Sequence, residues 1–154
     1  MSKIESRLAE LGLVIPAPTA PVANYVPFVR QGDVLHISGQ VSRDEAGGVT
    51  GVVGEEVDAE RAKLAARICG INLIAQMKAA CGGDLERVAR IVKLGGFVQA
   101  GPGFFEIPAV INGASDLMVE VFGEAIGKHA RSAVGMAGLP GNAPIEVEMI
   151  VEVE

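Results

Sequence analysis

The chain has 154 residues, one domain's worth, with 49% apolar and 21% charged residues, which excludes a disordered tail and requires a buried core. Lysine and arginine number 13 against 19 aspartate and glutamate, and the net charge of −6 is the wrong sign for a protein that grips phosphate backbones. Gly occurs 20 times, close to twice the usual share of about 7%, while aromatics are 4% and Trp is absent, so small and branched aliphatics must build the core, with subunit contacts to help.

In chain order, residues 3–12 carry a weak helical period through Ile4, Leu8 and Leu11, stopped at Gly12. Pro16, Pro18 and Pro21 make the next stretch an extended arm. Residues 1–20 thus read as a helix and arm, and 21–154 as a single domain. Residues 25–30 are β-rich but contain Pro27, which suits an edge or a bulge, and a turn at Gln31-Gly32-Asp33 leads into a strand over 34–41. The polar, glycine-rich 42–56 segment is a loop with room for one short strand. Asp58 caps a long helix running to about Ala80, stopped by Gly82-Gly83, and its apolar face is read as Leu64, Ile68, Ile71 and Ala75 with Ile74, Met77 and Cys81 beside it. Residues 88–98 form a strand.

A second helix starts near Glu106, with Pro108 in its first turn and a stripe of Val110, Ala114, Leu117 and Val121; Gly123 marks its end. Residues 132–139 return to strand, 139–142 turn, and 145–153 alternate cleanly. There, Ile145, Val147, Met149, Val151 and Val153 face one way and Glu146, Glu148, Ile150, Glu152 and Glu154 the other. This order predicts an α+β domain with two helices on one face of a mostly antiparallel sheet, plus the short N-terminal helix. The opposite sheet face then needs water or a partner.

The N-terminus mixes charges of both signs without an apolar run, and no run approaches the ~18 residues of a membrane span, so a cytoplasmic protein is expected. Cys69 and Cys81 are twelve residues apart on one predicted helix, too far to bond, and read as buried thiols. No Cys/His cluster has metal spacing, and phosphate-loop, dinucleotide and nucleophile-elbow motifs are missing. Arg131, at the mouth of a strand, has the chemistry to clamp a carboxylate, or it serves as a surface arginine or an internal partner for the last strand's glutamates. Glu146 and Glu148, about 7 Å apart on one face, suit acid–base work, and a solvated strand face explains them at least as well, since Glu152 and Glu154 continue the pattern. Asn112 and Asp116 lie one helical turn apart. His36 and His129 have no matching nucleophile motif, and Tyr25, the single tyrosine, starts the first strand region.

Several of these residues recur together. Asn24-Tyr25, Ile37-Ser38-Gly39-Gln40, Val110-Ile111-Asn112, Ala130-Arg131-Ser132-Ala133 with Leu139-Pro140, and Ile145-Glu146-Val147-Glu148 stand in an order that resembles the Rid/YjgF/YER057c family of enamine/imine deaminases, over about residues 20–153. The N-terminal helix and longer middle resemble a longer subgroup. The resemblance implies a chorismate-mutase-like fold assembled as a homotrimer, with sites in clefts between subunits. It implies that Arg131 holds the carboxylate of a 2-imino or 2-enamino acid and that Glu146 places the attacking water. Ser38, Gly39 and Ala133 then line the pocket, and Tyr25 and Asn112 contribute walls. The implied partner is a small carboxylate-bearing metabolite, with no metal, organic cofactor, nucleic acid or membrane. The chain departs from the family pattern at His129, where proline is usual, at Ala23-Asn24-Tyr25, where glycine–proline–tyrosine is usual, and at Ala133, where cysteine is common.

Overall fold

The computed structural model describes residues 1–154. Its elements are α1 (Lys3–Glu10), β1 (Phe28–Gln31), β2 (Val34–Val41), α2 (Ala59–Ala80), β3 (Val88–Gln99), α3 (Ile107–Phe122), the one-turn α4 (Glu124–Gly127), β4 (Ala130–Met136) and β5 (Ile145–Val153). The five strands order as β1-β2-β5-β3-β4, all neighbours antiparallel except the β3–β4 pair. Helices α2 and α3 cover one face. The fold is the α+β arrangement expected from the order of elements. No helix is long and apolar enough to cross a membrane.

Local chemistry sets the boundaries. Asp58 accepts from the Arg61 N–H at 2.8 Å and starts α2, and Ser2 with Glu5 forms a capping box on α1. Gly123, at φ 80°, ends α3. β1 begins only at Phe28, three residues later than the sequence pattern suggests, because Pro27 has no N–H for the ladder. The preceding chain is instead pinned to β2: Ser38 donates its hydroxyl to the Val26 carbonyl at 2.7 Å and its N–H to the Pro27 carbonyl at 2.9 Å. β4 runs 130–136 rather than 132–139, since the Leu139 N–H turns away to the Gln99 Oε1 at 2.8 Å. The short strand in the 42–56 loop reduces to bridges from Val53 to Val57 and Ala100.

One core joins all layers. β5 supplies Ile145, Val147, Met149, Val151 and Val153, all buried, and α3 supplies Val110, Ala114, Leu117 and Val121. Ile4 and Leu8 of α1 belong to the same cluster. Of the face predicted for α2, Ala75 is buried, as are Ile74, Met77 and Cys81 beside it, but the rest is corrected: Leu64 is 63% exposed, and Ile68 and Ile71 are only half-buried. Its buried face is Ala62, Ala65, Ala66, Cys69, Leu73, Ile74 and Met77. Apolar residues surround most of this helix, so their period does not single out one face. Close approach to α3 decides instead, and it needs the small residues. Gly113 of α3 sits so near the Lys63 carbonyl of α2 that no Cβ fits there. Cys69 and Cys81 are both free and buried, and burial pushes the Cys69 thiol well up.

Candidate functional site

The residues singled out in the sequence gather into two groups, not one. The first lies where β4 meets α3. Arg131 donates from Nη1 to the Asn112 Oδ1 at 2.7 Å and to the Ser115 Oγ at 3.2 Å. No carboxylate of the chain comes within 4.0 Å of it, so it is not the internal partner of the β5 glutamates. Both hydrogens of Nη1 are thereby used, and the Nε–Nη2 edge, three of the five N–H donors, has no partner within the chain. That edge has the fork geometry that takes a carboxylate bidentately. Ala133, two residues on, points to the same side of β4 and is half-buried. Asp116 takes no part; it faces Lys63 across α2 at 4.0 Å.

The second group lies at the β2–β5 pair. The β2 register shifts between Ile37 and Gln40, a bulge that leaves Ser38-Gly39 across from Glu148, while Glu146, paired with Val41, reaches back over Gly39 with its side chain. The Glu146 carboxylate fills the space a Cβ at Gly39 would need, so glycine is what allows the acid to fold over the strand. Tyr25 is tethered nearby through the Ser38–Val26 bond, and the residue is 54% exposed. Glu146 is half-buried, and its pKa is raised, first by burial and second by the negative charge of Glu148. A raised value is what a residue handing protons to and from water near neutrality needs.

Register shows why the groups stay apart. Arg131 shares a row with Leu94 and Met149, both buried beneath the helices. Glu146 shares a row with Phe97, whose side chain belongs to the opposite, uncovered face. Two strand spacings across and three residues along separate the Cα atoms of Arg131 and Glu146 by roughly 14 Å, on opposite faces of the sheet. Three grooves of about 400–500 Å³ lie elsewhere, between α2 and α3, between α1 and α3, and under the 15–18 arm, and neither residue lines them.

Sequence reasoning missed Ser115 as a member of the first group and marked His129 only as a departure from the family pattern. Ser115 and His129 are hydrogen-bonded at 2.9 Å beside Arg131. The available signal was the spacing Asn112-x-x-Ser115, which puts both side chains on one face of α3. The pairing of Asn112 with Asp116 obscured it.

The Glu146 shift has a stability consequence. The folded chain holds this proton more tightly than the unfolded chain, so the contribution is most favourable below the ordinary value of 4.5 and is lost as pH rises through the raised folded value. Glu146→Gln is therefore expected to unfold at a higher temperature than the parent at about pH 7.5, with the difference vanishing at about pH 4. Thermal melts at the two pH values check this; a variant less stable at both would contradict it.

Comparison with known proteins places the chain among relatives. The family model described as "YjgF/chorismate_mutase-like, putative endoribonuclease" matches residues 5–153, so the N-terminal helix, outside the sequence resemblance, lies almost wholly within the match. The chain is 46% identical to Protein TCP17 of Trypanosoma cruzi, covering 97% of this chain and 94% of that one. It is 30% identical to the 2-iminobutanoate/2-iminopropanoate deaminase of Dermatophagoides farinae, over 92% and 96% respectively. A crystal structure of an Agrobacterium tumefaciens protein of unknown function superposes with a TM-score of 0.91 at 49% identity, covering 98% of this chain and 92% of that one.

Proposed function

The chain belongs to the YjgF/chorismate mutase-like family, and from that premise we propose that it hydrolyses reactive 2-imino and 2-enamino acids to 2-oxo acids and ammonia. The observation that carries this reading is Arg131: a half-buried guanidinium, anchored through one nitrogen, with its outer edge free and no acid of the chain to neutralise it. Such a group calls for an anion from outside. The deaminase among the relatives acts on small acids of this kind.

The Nε–Nη2 edge of Arg131 holds the substrate carboxylate and so fixes the adjacent imine carbon. That carbon is already electrophilic, which makes orientation and proton handling the main tasks. Water adds to it while Glu146 takes the water proton. Glu146 returns that proton to the imine nitrogen, which gives the carbinolamine, and the carbinolamine hydroxyl proton then passes to the nitrogen as the C–N bond breaks, leaving the 2-oxo acid and ammonia. Because Arg131 and Glu146 lie on opposite faces of one chain, each site pairs Arg131 of one copy with Glu146 of a neighbour. A closed ring of three copies, joined through the uncovered sheet faces, satisfies this geometry.

The test is to generate 2-iminobutanoate in situ with an amino-acid oxidase and follow its loss. Accelerated release of 2-oxobutanoate and ammonia is expected. Tight binding of 2-oxobutanoate with hydrolysis at the background rate would make the protein a small-acid binder, the reading that the departures at His129 and Ala23-Asn24 favour. An RNA-cleaving role, suggested by the family description, is opposed by the net charge of −6 and would need salt-sensitive RNA binding.

A further inference from the structure

Arg131 is held by a relay whose direction can be worked out atom by atom. The His129 Nδ1 lies 2.6 Å from the Gly127 carbonyl oxygen. A carbonyl has no hydrogen to give, so Nδ1 carries the proton and donates it. In the neutral ring Nε2 is then an acceptor, and at 2.9 Å it takes the Ser115 hydroxyl hydrogen. With its hydrogen committed there, the Ser115 Oγ presents lone pairs to Arg131, whose Nη1 donates to it at 3.2 Å. The far end is equally constrained. A Cβ at Gly127 would lie 2.5 Å from the Met118 carbonyl oxygen and 2.8 Å from the Val119 Cα, so the backbone of α4 seats directly on α3.

We propose that Ser115 and His129 are positioning residues for the carboxylate clamp: the Gly127 carbonyl fixes the His129 tautomer, His129 orients the Ser115 hydroxyl, and that hydroxyl turns the Nε–Nη2 edge of Arg131 toward the substrate. This rests on the clamp assigned to Arg131 above. It also gives His129 a role at a position where proline, whose ring offers no side-chain hydrogen-bond donor or acceptor, could not serve.

Two measurements test it on the full-length protein. Nitrogen-15 NMR of the histidine rings reads the relay without reference to activity. A neutral His129 with its proton on Nδ1 is expected, and Ser115→Ala should move the Nε2 resonance; a proton on Nε2 would overturn the relay. Calorimetric binding of 2-oxobutanoate, a stable carboxylate probe, reads its purpose. Ser115→Ala and His129→Leu are each expected to weaken binding about tenfold, the effect of one lost hydrogen bond to a charged group. His129→Gln, whose Oε1 replaces the Nε2 acceptor, should restore most of it. In turnover the loss should fall on KM, with kcat changed less than about twofold. If Arg131→Ala abolishes binding but Ser115→Ala and His129→Leu bind like the parent, the relay is overturned and the clamp stands. If Arg131→Ala binds like the parent, or the parent does not bind, the clamp itself fails and the positioning role with it. Should Ser115→Ala melt early, the His129→Leu and His129→Gln pair decides the question alone.

Discussion

Replacing Arg131 with alanine is expected to lower kcat/KM for a 2-imino acid by about 100-fold, the equivalent of about 3 kcal/mol for a bidentate charge-assisted pair. The reasoning is subtractive. Two of the five guanidinium hydrogens are committed to Asn112 and Ser115, and the other three have no partner within the chain. Removing the side chain therefore leaves a substrate carboxylate desolvated and unmatched, while the folded chain loses no ion pair. Thermal stability should stay within about 1 kcal/mol of the parent, because Arg131 contributes only hydrogen bonds to half-buried partners. Arg131→Lys keeps the charge but not the fork, and an intermediate loss of about tenfold is expected. Steady-state kinetics beside thermal melts check both halves. Equal rates for the alanine variant and the parent would remove the arginine from the account.

The largest stability effect is expected at Gly113. Helix propensity alone argues that Gly113→Ala should help by about 1 kcal/mol. Geometry argues the reverse, because the new Cβ would collide with the Lys63 carbonyl oxygen and come within 3.2 Å of the Ala66 Cβ. A flexible side chain could swing aside, but the backbone of a 22-residue helix cannot move at one point only. Overpacking against it costs about 3 kcal/mol, so a net loss of about 2 kcal/mol should win. Urea unfolding would show this as a lower midpoint at unchanged slope. A variant more stable than the parent would mean that α2 and α3 separate easily. The α3–β4 wall that carries Asn112, Ser115 and Arg131 would then be less rigid than described.

How far the sequence could be read follows from which signals are local. β5 was legible because one side packs on the helices and the other does not, which writes period two into Ile145 through Val153. α3 was legible for the same reason at period 3.6. α2 was misjudged because Leu64, Ile68 and Ile71 are as apolar as the true core residues, and only the approach of Gly113 selects the small-residue face. At the site, motif order pointed to Arg131, Asn112 and Ala133 and to Tyr25, Ser38, Gly39 and Glu146. It could not show that the two sets occupy opposite faces. That depends on the β3–β4 and β3–β5 registers, which no single segment encodes. Ser115 was hidden because a serine within a helix has no pattern of its own; it gains meaning only from the arginine that β4 brings beside it.

The central claim is that a working site takes Arg131 from one chain and Glu146 from another. Complementation between two inactive variants tests this most directly. Arg131→Ala and Glu146→Gln would be co-expressed with different tags, and mixed assemblies isolated by sequential affinity steps. Every mixed ring of three, whichever variant is in excess, has one site in three that combines an intact arginine with an intact glutamate across an interface, so activity should return to about a third of the parent's. Mixed assemblies that form but stay as inactive as either variant alone would mean that both groups act within one chain, contrary to the geometry described.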